Sequence, residues 1–117
     1  MVQVEDVEKF LKDLNIKIAV FGLIFRDDRG KNIATLLDLE ITPKFRENII
    51  KELVVEDYVD GPLIDSLNKM GELWVFGKDV KGKEIYIKIS MGVAGSSAIC
   101  ISFHIAEKKL NYKFRTT

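Results

Sequence analysis

Val4, Val7, Leu11 and Leu14 recur at helical spacing, which predicts an amphipathic helix over residues 3–14, with Asn15 as its stop. The run IKIAVFGLIF, residues 16–25, is β-branched and aromatic and short for a buried helix, so it predicts a strand closed by the charged turn RDDRGKN. Asp27, Asp28 and Asn32 of that turn match no calcium-loop spacing and read as a solvated turn. Residues 33–39 predict a short helical segment. Thr42 followed by Pro43 starts another helix, a hydroxyl to cap an orphan N–H and then a ring that needs no donor at the first position. That helix runs to about Leu53, with Phe45, Ile49, Ile50 and Leu53 facing inward and Arg46, Glu47 and Lys51 facing water. EDYVDGP, residues 56–62, predicts a turn, and residues 63–71 a loop.

The second half has a period of two. LWVFGKDV (73–80) and KEIYIKIS (83–90) flank Lys81 and Gly82 and predict a hairpin. The seven-residue loop MGVAGSS is too short for a parallel crossover, so AICISFHIA (98–106) pairs antiparallel and completes a three-stranded meander. In the tail, Leu110, Tyr112 and Phe114 alternate with polar residues and predict an extended docked segment. Alternation puts Ile85, Ile87 and Ile89 on one face and Glu84, Tyr86, Lys88 and Ser90 on the other. On the third strand, Ile99, Ile101, Phe103 and Ile105 form the apolar set, while Cys100, Ser102 and His104 share the polar face. A symmetric loop sets Tyr86 opposite Ser102, Lys88 opposite Cys100 and Glu84 opposite His104; a slip of two leaves the faces unchanged.

The length, 117 residues, suits one domain spanning 1–117 with a single core. With 47% apolar and 31% charged residues the chain is neither disordered nor fibrous. The lone thiol, Cys100, builds no disulfide framework or zinc ribbon and reads as a buried small hydrophobe in a reducing compartment. MVQVEDVEKF has early acids and no apolar core, unlike a secretory signal, and the run Ile18–Phe25 is far short of a membrane span. These features predict a cytoplasmic protein with no membrane association. Zero net charge argues against a nucleic-acid binder until its distribution is read. Residues 1–69 carry 10 Lys and Arg against 14 Asp and Glu, net −4, whereas residues 70–117 carry 8 against 4, net +4. The basic half is the predicted sheet.

The polar face holds what metal-free RNA cleavage requires: a base for the 2′-hydroxyl, an acid for the departing 5′-oxygen, and positive charge beside the phosphorane. His104 supplies an imidazole, which can serve as acid or base; Lys88 supplies charge; Tyr86 orients a phosphate or stacks on a base. The same residues also suit a solvated sheet face with no chemistry. Trp74 and Phe76 are candidate stacking rings, although Leu73 and Val75 beside them favour core packing. GVAGSS lacks the Lys of a phosphate-binding loop, and one His with one Cys cannot supply a usual zinc set.

LLDLEITPKFRENIIKEL, EDYVDGP, LWVFGKDVKGKEIYIKI and CISFHIAEK, taken in this order over residues 36–114, resemble the MqsR family (motility quorum-sensing regulator) of type II toxins. The resemblance implies a RelE-like α+β fold, a small antiparallel sheet made of the C-terminal meander plus an N-terminal strand and packed with two to three helices. It further implies an mRNA-cleaving endoribonuclease that halts translation and is neutralised by a cognate antitoxin. Tyr86 and His104 fall on candidate catalytic positions of the family and, with Lys88, form the expected catalytic set. Lys78, Trp74 and Ser102 are the expected substrate contacts, with no metal or cofactor. The chain departs from the family pattern at Asp60, Val75 and His104, where some members carry Lys, Gln and Lys. The alternative is a non-catalytic protein-interaction or RNA-binding module using the basic face and an exposed edge strand.

Overall fold

The first helix, α1, runs from Val4 to Phe21, through Asn15 and into the run expected to be a strand. Asn in a helix costs at most about 0.7 kcal/mol, whereas burying a side chain such as Ile18, 5% exposed here, is worth about 1.5–3 kcal/mol. Ile18 extends the stripe of Val7, Phe10, Leu11 and Leu14 by one turn, and that burial outweighs the Asn. The helix ends at Gly22, whose φ of 86° favours glycine, and only Leu23–Phe25 remains as strand β1.

The computed structural model describes residues 1–28, 30–64 and 71–115. After β1 come α2 (Lys31–Leu39), α3 (Pro43–Lys51), a 3₁₀ turn (Val55–Asp57) and strands β2 (Tyr58–Ile64), β3 (Glu72–Val80), β4 (Lys83–Ser90) and β5 (Ala98–Ile105). The fold is α+β, with three helices and a five-stranded mixed sheet in the order β1-β5-β4-β3-β2 among the described residues. β2 to β5 pair antiparallel in sequence order, and β1 joins β5 in parallel, so the sheet is not purely antiparallel. No helix among the described residues is long and apolar enough to cross a membrane.

Several expected elements change. EDYVDGP is not a turn: Tyr58 to Pro62 lie in β2, an irregular edge strand whose register with β3 shifts twice. An edge tolerates Pro62 because the strand has no outer neighbour to need its N–H. Of the expected 63–71 loop, Leu63 and Ile64 extend β2, and residues 65–70 lie outside the described residues. The β3–β4 hairpin forms as expected, with positive φ at both Lys81 and Gly82 as a tight hairpin turn demands.

Helix α1 lies over the inner face of the sheet. Phe10 stacks on Trp74 with centroids 4.6 Å apart and contacts Phe76 at 5.9 Å. Ile85, Ile87, Ile89, Cys100 and Phe103 beneath are all fully buried. Trp74, an expected substrate contact, is therefore a core residue, 8% exposed.

Helix α3 starts as expected, Thr42 Oγ1 accepting from the Phe45 N–H at 3.1 Å. Its two faces differ from the pattern, for Phe45 is exposed and Arg46 is 3% exposed. Arg46 donates two bonds to Asp27, at 2.9 and 3.1 Å, and its guanidinium lies 3.5 Å from the Phe25 ring centre. The turn RDDRGKN is thus not merely solvated. Asn32 is buried too: its amide nitrogen donates to the Arg26 and Ile101 carbonyls, and its oxygen accepts from the Phe103 N–H. It satisfies the edge of β5 just past the end of β1, a duty that edge backbone otherwise leaves to water.

Arg46 is the deeper partner of its pair, so an orphaned Arg46 is the costlier defect. Asp27→Ala should lower unfolding stability by about 3 kcal/mol, and Arg46→Met, which replaces the guanidinium with an apolar chain, by distinctly less. Urea unfolding measures both, and the opposite ranking would show that the pair does not hold α3 to the β1–α2 turn.

Candidate functional site

The outer face of the sheet follows from burial of the inner one. With Ile85, Ile87 and Ile89 inward, alternation turns Tyr86 and Lys88 outward. Strand β5 carries a bulge. Tyr86 pairs with His104 and Lys88 with Ser102, but Ile89 pairs with Cys100, which leaves Ile101 as the extra residue. The register therefore lies two residues from the symmetric one, and Glu84 faces Asp79 of β3 rather than His104. The bulge also turns Cys100 inward, off the polar face where alternation had put it, and Ile99 now pairs with Ser90 on the outer side. Cys100 is wholly buried, its thiol donating to the Ser102 carbonyl at 3.2 Å, and burial pushes the thiol well above its ordinary pKa. It is no nucleophile.

The shift brings two rings together. Tyr86 and His104 stack with centroids 5.3 Å apart and planes 20° from parallel, and the Lys88 ammonium sits 5.7 Å from the Tyr86 ring centre. His104 Nδ1 lies 3.0 Å from the Ile105 carbonyl oxygen. A carbonyl only accepts, so Nδ1 carries the proton, and in the neutral ring Nε2 is the free acceptor. Burial first, and the charge of Asp60 second, push the Tyr86 phenol above its ordinary pKa, so it is a hydrogen-bond donor at neutral pH.

Tyr86, Lys88, Ser102 and His104 form the floor of a groove of about 560 Å³, and Glu107 to Asn111 form its wall. Among the described residues, Lys88, Lys108 and Lys109 have no ion-pair partner. Glu107, the groove's acid, bonds Lys31 at 2.9 Å, and this lysine holds it below the usual carboxylate range. Lys78 lies elsewhere, on the inner side of β3, where it bonds the buried Asp57 at 3.0 Å. Of the expected site residues, then, Tyr86, Lys88, Ser102 and His104 come together, while Trp74 and Lys78 do not join them. A larger depression, about 770 Å³, touches Trp74 where α1 meets β2 and β3, but it has acids and no histidine, and its Lys9 is paired with Asp13. Among the described residues no three His, Cys, Asp or Glu side chains converge as a metal site would need.

Periodicity alone did not reveal what the tail does. From the end of β5 it crosses the polar face: Glu84 accepts from the Leu110 N–H at 3.0 Å and from the Tyr112 hydroxyl at 2.8 Å. Gly77 provides the notch, for a Cβ there would collide with Tyr112 and Leu110. Beyond it, the Lys113 N–H donates to the Tyr58 carbonyl and Phe114 stacks on Tyr58 at 5.5 Å. The alternation of Leu110, Tyr112 and Phe114 signalled docking, and these side chains dock as expected; Glu84, two residues before Tyr86, is the anchor that periodicity does not mark.

Burial and the bond to Glu84 push the Tyr112 phenol well above its ordinary value. A raised folded-state pKa contributes stability that is complete below the unfolded phenol value of about 10 and fades as pH rises above it. Between pH 8 and pH 11 the wild type should lose more unfolding stability in urea than Tyr112→Phe; equal losses would show that the clasp is not formed. Compared with protein-family models, with curated protein sequences and with solved structures, the chain matches none, so the groove's role rests on its own chemistry.

Proposed function

We propose that the chain is a metal-independent endoribonuclease of the MqsR kind, with a RelE-like fold, acting on mRNA in the cytoplasm and restrained by a cognate antitoxin. The observation that carries this reading is the stacked Tyr86–His104 pair beside the unpaired Lys88 in one groove. His104 Nε2 takes the proton of a 2′-hydroxyl, whose oxygen attacks the adjacent phosphorus. Lys88 neutralises the charge gathering on the phosphorane oxygens and protonates the departing 5′-oxygen as the P–O5′ bond breaks. Tyr86, held protonated, donates to a non-bridging oxygen, and Ser102 adds a further donor at the rim. The products are a 2′,3′-cyclic phosphate and a 5′-hydroxyl.

A second reading has its own observation. β1 is an edge strand with Ile24 exposed, and α1 exposes Ile16, Val20 and Phe21 beside it. Such a patch next to an open edge suits a protein partner, whether an antitoxin or the target of a non-catalytic module.

His104→Ala separates the two. General acid–base groups contribute about 10²- to 10⁴-fold, so single-turnover cleavage of a mixed-sequence RNA should fall by at least the lower figure. Its stability should change little, since the side chain is half-exposed. Cleavage should persist in EDTA and leave cyclic phosphate ends. A wild-type rate in His104→Ala, or no cleavage by the wild-type protein at all, would return the face to the non-catalytic reading.

A further inference from the structure

Resting on the ribonuclease reading, we propose that the C-terminal strap is the second half of the substrate site: Lys108 and Lys109 grip the phosphates of a single-stranded RNA, and the Glu84–Tyr112 clasp holds them in position. The groove has a floor of sheet and a wall of strap, and among the described residues both lysines line it without an ion pair to a carboxylate. Lysines lining a groove without an ion pair of their own are sites for a polyanion's phosphates. Lys88 on the floor faces the same space, so phosphates are approached from two sides.

The clasp gives the wall a defined place. Two hydrogen bonds to one carboxylate, and side chains seated in the Gly77 notch, tie Leu110 and Tyr112 to β4 and β3 immediately after the two lysines. A free tail would carry the same charge but lose entropy on ordering at each binding event. Tyr112 is thus a positioning residue, acting through Lys108 and Lys109.

The width of the groove also selects the strandedness of the substrate. About 560 Å³ between the sheet and the strap is a small-molecule-sized space, enough for on the order of one or two nucleotides. Bases must be unpaired to enter it and to meet the Tyr86–His104 rings, as in recognition of single-stranded RNA generally. A duplex presents only its outer backbone.

The test is binding of a short mixed-sequence oligoribonucleotide, 2′-O-methylated so that it cannot be cleaved, measured over a range of salt concentrations. Each phosphate contact with single-stranded RNA contributes about 0.7 to the slope of log affinity against log salt. The double variant Lys108→Ala/Lys109→Ala should therefore flatten the slope by about 1.4, while Lys12→Ala on α1 should leave it unchanged. Tyr112→Phe alters no charge at neutral pH and should weaken binding about three- to tenfold, the worth of one hydrogen bond. Gly77→Ala, whose Cβ would press on the Tyr112 hydroxyl and the Leu110 side chain and so displace the clasp, should do likewise, and the same sequence presented as a duplex should bind more weakly. Wild-type binding with an unchanged slope in the double variant, or unchanged affinity in both Tyr112→Phe and Gly77→Ala, overturns the strap assignment and leaves the ribonuclease reading standing. A wild-type protein that binds no RNA overturns that reading and the strap assignment together.

Discussion

Burial of Ile85, Ile87 and Ile89 beneath α1 is the constraint on which the site depends. Each is worth about 1.5–3 kcal/mol inside relative to outside, and a slip of one residue would expose all three while burying Tyr86, Lys88 and Glu84. Two of those carry charge, and burying them unpaired costs several kcal/mol more. The orientation of β4 is therefore not negotiable. The outward direction of Tyr86 and Lys88 is a by-product of core packing.

The same constraint does not decide which residues of β5 meet them, because a shift of two keeps every isoleucine inside. Here the bulge at Ile101 intervenes. It lets Phe103 and Cys100 both point inward although they are three residues apart, which strict alternation forbids. Asn32 braces this irregularity by bonding the Ile101 carbonyl and the Phe103 N–H on either side of Ser102. A buried asparagine on α2 thus stabilises the register that sets His104 against Tyr86, and α2 belongs to the site's architecture without lining it.

The two halves of the chain were legible to different depths, for physical reasons. The hairpin and the inner stripe of β4 could be read because period two and the Lys81–Gly82 turn are local signals, while the expected stripe of β5 held only at Phe103 and Ile105. The identity of the polar cluster followed from them, Cys100 excepted. Local pattern misled at IKIAVF, where β-branched residues continue a helix because Ile18 has a core to enter. It misled again at Arg46, which looks like a solvated residue until Asp27 and Phe25, twenty positions away in the chain or nearly so, fold against it. Register and bulge depend on Asn32, separated from Phe103 by 71 residues. Such long-range partners leave no periodic trace.

A chain with no net charge can still present a cationic groove because most of its acids lie away from it and several are engaged there. Asp57 faces Lys78 and Arg115, Asp27 faces Arg46, Glu47 takes both Lys44 and Lys51, and Asp13 takes Lys9. Within the groove Glu107 is turned toward Lys31, and Glu84 is occupied by the neutral donors of the strap. What remains uncompensated is Lys88, Lys108 and Lys109, two from a loop and one from a strand, around a pair of stacked rings. Net charge averages over the chain, but an anion within about 10 Å, a Debye length at ordinary salt, responds to the local set. With Glu107 tied to Lys31, Glu84 to the strap and no other acid lining the groove among the described residues, attraction is concentrated where a phosphate would meet an imidazole.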